Sequence, residues 1–362
     1  DEANTILTKT QLFAQRTLAF LMPSIQMIMS GLTLAVYWIG AILIENANMV
    51  GKVATFSDMM VFSQYAIQVV MSFMMLVMIF MILPRAQVAA KRINEVLETE
   101  PSINDGTLTE GKSGHTGEVE FRNVSFAYPD AEDSVLENIS FTAKKGETIA
   151  FIGATGCGKS TVVNLIPRFY DVTEGEIRIK DLPIKSYKFE DLRNMIGIVP
   201  QQATLFGGTI RENMQWGNPY ATDEDIYEAL ELSQSKEFID KMTEGLDTYI
   251  EQGGKNVSGG QRQRLTIARA LVKKPEILIL DDSASALDFA TDAKLRKALS
   301  TLNMTVIIVS QRVSALMHAD SIVVLSHGEV VGQGTHDMLM NTCDVYQEIV
   351  MSQMEGGQNN EE

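Results

Sequence analysis

Cysteine and histidine are scarce in this sequence, at two and four in 362 residues. Cys157 and Cys343 form no CxxC pair, and the histidines are scattered, which argues against a zinc site or a disulfide framework and fits a reducing compartment. An excess of basic residues is missing too. The net charge is −16, and most of it lies beyond residues 1–117, which hold nine acids against seven bases. A nucleic-acid binder needs a basic footprint, so no nucleic-acid partner is expected.

Charge of either sign is absent from two long runs. Thr17–Ile44 is 28 residues without a charged side chain, and Met59–Pro84 is 26. At ~1.5 Å per helical residue, each exceeds the ~30 Å hydrocarbon core of a bilayer. The first run is too long for a cleaved leader, and a second follows it. Two transmembrane helices are predicted, over about 17–44 and 59–84. Lys9 and Arg16 precede the pair, and Arg85, Lys91 and Arg92 follow it, whereas the connection Glu45–Asp58 has Lys52 as its single base. The positive-inside bias puts both ends, and the rest of the chain, in the cytoplasm of a multi-pass cell-membrane protein. Eleven of the 20 methionines fall between Met22 and Met81. Such side chains suit an apolar or amphipathic small-molecule substrate, and they equally suit lipid contact and helix packing.

Residues 1–100 thus read as part of a transmembrane domain, followed by a polar, glycine-rich linker over 101–117. From Glu118 to residue 354 short β runs alternate with amphipathic helices, the pattern of an α/β domain. Residues 355–362, "EGGQNNEE", are expected to be a flexible tail.

Inside the α/β domain the strand "TIAFIG" runs into "GATGCGKST", which matches GxxxxGK[ST]. In such a loop the backbone of Gly153, Ala154, Thr155, Gly156, Cys157 and Gly158 wraps phosphates. Lys159 reaches the β- and γ-phosphates, Ser160 offers its hydroxyl to Mg²⁺, and Thr161 begins the helix behind them. ATP with Mg²⁺ is the expected cofactor. The Cys157 thiol, at a helix start, is expected to be reactive, with a small buried filler as the alternative. A second aliphatic strand, "ILIL", ends in Asp281 and Asp282. The strand-end acid of a phosphate-loop enzyme holds Mg²⁺, which assigns Asp281. Asp282 either orients the attacking water or caps a turn. "NVSGGQRQRL" supplies a further anion site, Ser258, Gly259, Gly260 and Gln261 at the start of a helix, and implies two such domains sharing nucleotides.

These motifs together resemble the nucleotide-binding domain of an ABC transporter, fused behind membrane helices as in the exporters. The likeness covers nearly the whole chain. It implies that residues 3–100 are the last two of six membrane helices and that the α/β P-loop domain follows them. It implies adenine stacking by Tyr128 of "FAYPD", a Mg²⁺-touching relay by Gln201 of "VPQQ", and coupling of two sites by Asp288 of "SALD". Three positions depart from the family pattern. Asp282 stands where active sites have glutamate, Gln311 where they have histidine, and Val257 where they have leucine. Asp282 is one methylene short, and a ~1 Å misplacement costs ~10²-fold in rate. Gln311 cannot carry a proton as histidine does. Asp282, Gln311 and Gln201 therefore form a catalytic set that resembles the degenerate half of a heterodimeric multidrug exporter. Its partner would be a second half-transporter with an intact site, inside a lipid bilayer. The alternatives are a homodimeric lipid or peptide exporter and an ATP-gated channel or regulator.

Overall fold

The computed structural model describes residues 2–358 apart from 47, 113, 130, 132, 284 and 285. It divides into two units, Asp1–Pro101 and Ser102–Glu362.

The first unit is a pair of helices, α1 (Glu2–Glu45) and α2 (Met49–Leu97). Both are long and apolar enough to cross a membrane, and both run past the uncharged segments that predicted them. Their apolar side chains point outward: Phe20 and Phe73 are 79% and 66% exposed. Among the described residues of this unit only Gly40 and Ser63 are buried. Gly40 has a steric reason, because a Cβ there would lie 2.3 Å from the Met59 sulfur. Small residues of this kind let membrane helices approach. The hydroxyls of Thr17, Ser24, Thr33 and Ser72 each donate to the carbonyl four residues earlier, at 2.7–2.9 Å. No dangling donor then faces hydrocarbon from these side chains.

The second unit is built on two sheets. An antiparallel sheet, ordered β2-β1-β4-β5, comprises β1 (Val119–Phe126), β2 (Leu136–Ala143), β4 (Glu174–Ile179) and β5 (Leu182–Pro183). A six-stranded sheet, ordered β12-β11-β3-β10-β9-β6, has β3 (Thr148–Gly153), β6 (Ile196–Val199), β9 (Ile277–Asp281), β10 (Thr305–Val309), β11 (Ser321–Ser326) and β12 (Glu329–Gly334). A short ribbon pairs β7 (Gly208–Thr209) with β8 (Tyr249–Ile250). Within the larger sheet all neighbours run parallel except β12. The unbroken aliphatic runs "ILIL" and "VIIV" explain this, since strands of a parallel sheet are buried on both faces. Their residues alternate between two cores. Ala150, Leu278, Val306 and Ile308 face the helices, while Ile149, Ile277, Ile307 and Val309 face the antiparallel sheet.

Register brings the strand ends level. Val309 pairs with Asp281 on one side and Phe151 on the other, and Val199 lies beside Leu280. Every motif at a strand end therefore opens onto one edge, where ligands bind in open α/β sheets.

The polar segment after Pro101 belongs to this unit. Leu108 bridges to Tyr187, and the Asp105 carboxylate accepts from the Phe189 N–H at 2.7 Å. The N–H groups of Gly106, Thr107 and Leu108 also donate to the carbonyls of Ser186 and Tyr187. The last helix, Asp344–Gln358, likewise extends into the expected tail, whose residues 359–362 lie outside the described residues.

Candidate nucleotide site

The phosphate loop leaves β3 at Gly153 and enters a short helix, α3 (Lys159–Leu165). Gly156 and Gly158 take φ of 84° and 99°, the left-handed region that glycine enters without steric cost. Lys159 is only 8% exposed. Its ammonium donates to the carbonyls of Gly153 and Ala154, both at 2.8 Å. The cation is thus held over its own loop, where phosphate oxygens could replace two weaker acceptors.

Ser160, next on α3, donates its hydroxyl hydrogen to Asp281 Oδ1 at 3.2 Å. The sequence separates these residues widely, and the parallel strands bring them together. A serine hydroxyl beside a carboxylate is a hard-oxygen donor set that fits Mg²⁺, an ion that keeps few protein ligands. Burial pushes the Asp281 carboxyl above its usual range and the Asp282 charge adds to this, while the Ser160 hydrogen bond and Lys159 partly offset it. For a carboxylate raised in this way, stability is lost as pH rises through the unfolded and then the folded pKa. Asp281→Asn is therefore expected to raise the melting temperature of the nucleotide-free protein at pH 7. The gain should vanish below about pH 4. Thermal melts at the two pH values test this, and a variant no more stable than the parent at pH 7 refutes it.

Asp282 sits at φ 45°, turning the chain out of β9, and its N–H donates to the Val309 carbonyl at 2.8 Å. Its Oδ2 accepts from Gln201 Nε2 at 3.5 Å, so two of the three expected catalytic residues meet. Gln311 is placed by its backbone, whose carbonyl accepts from Gln353 Nε2 at 2.6 Å. Gln353 Oε1 accepts in turn from the Val313 N–H at 2.9 Å. This clamp from the last helix is a part of the site region that sequence reasoning missed, and no motif signals it.

Tyr128 shares a hydrogen bond with the Thr161 hydroxyl at 3.1 Å and meets Phe126 and Tyr170 edge-on. Its ring is fixed beside the phosphate loop. The Cys157 thiol is less accessible than a reactive thiol would be. It is 6% exposed within the core, 3.6 Å from the Lys159 ammonium, so Cys157 gives the loop its backbone and the core its side chain.

Ser258 caps the helix Gly259–Leu271 reciprocally: its hydroxyl accepts from the Gln261 N–H at 3.3 Å, and Gln261 Oε1 accepts from the Ser258 N–H at 3.0 Å. A Cβ on Gly259 would meet nothing within 4 Å, so the backbone here is open to an approaching group. A Cβ on Gly260 would lie 3.2 Å from the Ala286 carbonyl. Asp288 caps the next helix, Phe289–Ser300, by accepting from Thr291 N–H at 2.9 Å, and that bond holds its carboxyl below the usual range. Among the described residues no hydrogen bond joins Ser258–Gln261 to the phosphate loop of the same chain.

Residues 136–285 match the ABC transporter family. Over 97% of its length the chain is 41% identical to an uncharacterized ABC transporter ATP-binding protein of Bacillus subtilis (strain 168), of which it spans 60%. Over 70% of its length it is 41% identical to a putative multidrug export ATP-binding/permease protein of Staphylococcus aureus (strain NCTC 8325 / PS 47), spanning 44% of that protein. Among solved structures it is similar to a bacterial Atm1-family ABC exporter with ATP bound, at 31% identity and a TM-score of 0.74. That match covers 82% of this chain and 53% of the other. The strand-end geometry and these matches lead to one identification: the chain carries an ABC transporter nucleotide-binding domain of α/β fold behind two apolar helices, in the manner of the ABC exporters.

Proposed function

We propose that this chain is one subunit of a heterodimeric ABC exporter that moves apolar or amphipathic molecules out through the membrane. Its own MgATP site turns over slowly, and its Ser258–Gln261 segment completes the fast site of an unlike partner. In this reading Lys159 and the loop backbone hold the phosphates, Tyr128 stacks on adenine, and Ser160, Asp281 and Gln201 surround Mg²⁺. The bound metal would neutralise charge between the β- and γ-phosphates. ATP binding draws the two nucleotide-binding domains together, and hydrolysis with release separates them.

The observation that carries the reading is the setting of Asp282. Its backbone is tied to Val309 and its carboxylate leans on Gln201, so the shorter acid has no slack with which to recover the reach of glutamate. The test is subunit composition. Native mass spectrometry after purification from source membranes should find this chain paired with one unlike half-transporter carrying glutamate and histidine at the matching positions. A complex built only from copies of this chain would refute the pairing.

The membrane placement is testable separately. Asn48 precedes α2 in the short connection between the helices, and both native cysteines are buried. An Asn48→Cys variant should react with an impermeant maleimide from outside intact cells. Labelling that needs permeabilised cells would invert the topology.

A further inference from the structure

Away from the nucleotide edge, the helix Phe289–Ser300 and residues 314–319 part over the centre of the large sheet and leave a cavity of about 590 Å³. Its floor is apolar, formed by Val306 and Ile308 of β10 with Ala315 and Ala319 beside them. Ligand cavities run to roughly 300–1,000 Å³ and pair apolar walls with a few polar groups, and this one fits that description. The polar groups lie on the rim. Arg296 is held by Asp292 at 2.7 Å, which neutralises one charge pair, and exposed Lys297 leaves the rim positive. That sign is opposite to the −16 of the whole chain. Phe289, 74% exposed, stands at the mouth with the Arg312 guanidinium over one ring face, 5.8 Å from its centroid.

We propose that this cavity binds a small amphipathic anion, a ring-bearing apolar body with one carboxylate. The body would lie on Val306 and Ile308 and against Phe289, and the carboxylate would reach Lys297 and Arg296. Charge complementarity selects this occupant. A cation would face the positive rim, and a neutral molecule would leave Lys297 unused. The mouth at Phe289 adjoins Asp288, whereas Thr148 and Val306 line the cavity at the opposite end of their strands from the phosphate loop, and binding requires neither ATP nor the pairing proposed above.

The probe is 2-naphthoate, titrated by calorimetry into the full chain in lipid nanodiscs without nucleotide, with empty nanodiscs as the blank. Saturable one-to-one binding is expected. Lys297→Glu should weaken it by about tenfold or more, and so should replacing the probe with neutral 2-naphthamide. Ala293→Trp, which puts bulk into the cavity from an exposed helix position, should abolish it. Both substituted positions are exposed, and unchanged melting temperatures would confirm that the variants fold. The proposal is overturned if no saturable binding appears at millimolar probe, as when another segment of chain covers the cavity. It is equally overturned if the two variants bind as the parent does.

Discussion

Ser258→Arg should reduce ATP turnover of the assembled transporter by about 10²-fold or more, while Asp282→Asn should change it by less than about threefold. The asymmetry follows from where each side chain works. Ser258 holds open a helix start whose Gly259 has empty space before it. Arginine there removes the cap and, in the pairing proposed above, sets bulk and charge where the partner's γ-phosphate docks. Asp282, by contrast, serves only this chain's own site in that pairing, where the shorter acid would already limit the chemistry. Removing its charge takes away little that was used. Asp282→Glu combined with Gln311→His should raise turnover at this site. Steady-state ATPase rates of the reconstituted pair decide the matter. Loss of activity in Asp282→Asn with near-normal rates in Ser258→Arg would mean that the roles of the two sites are reversed.

The parts of this site legible in the sequence are those fixed by local chemistry. The glycines of the phosphate loop, the aliphatic run before Asp281 and the serine before two glycines each have a local physical cause. The structure places them at strand ends and helix starts accordingly. What depends on distant pairing was not legible. Gln353 reaches the Gln311 carbonyl from a helix that reads only as amphipathic. Residues 105–112 look like a linker because their polar groups are bonded at the domain surface, where composition cannot distinguish a carbonyl from water. Cys157 misled for a related reason. A thiol at a helix start reacts with an outside reagent only if the fold leaves it accessible, and burial among core side chains is not visible in the motif. The apolar helices were legible as elements because hydrocarbon leaves the backbone few alternatives.

The phosphate loop offers a second large effect, one that separates two glycines of the same motif. Gly153→Ala is expected to destabilise the nucleotide-free protein by about 3 kcal/mol or more, and Gly156→Ala by about 1 kcal/mol. At Gly153 a Cβ would fall 2.1 Å from the carbonyl oxygen of Leu325, its register partner on β11, and 2.7 Å from Cys157 Sγ. The sulfur belongs to a buried side chain and the oxygen to a central strand, so neither moves without disturbing the sheet. At Gly156 a Cβ would meet nothing within 4 Å, and the cost is only that of holding alanine at φ 84°. Each kcal/mol lowers the melting temperature of a domain this size by about 2–4 °C, so thermal melts resolve the difference. Equal shifts for the two variants would refute a special cost from the β11 carbonyl at Gly153. A large shift for Gly153→Ala alone is the expected result, since alanine there meets both the β11 carbonyl and the strain of φ 155°.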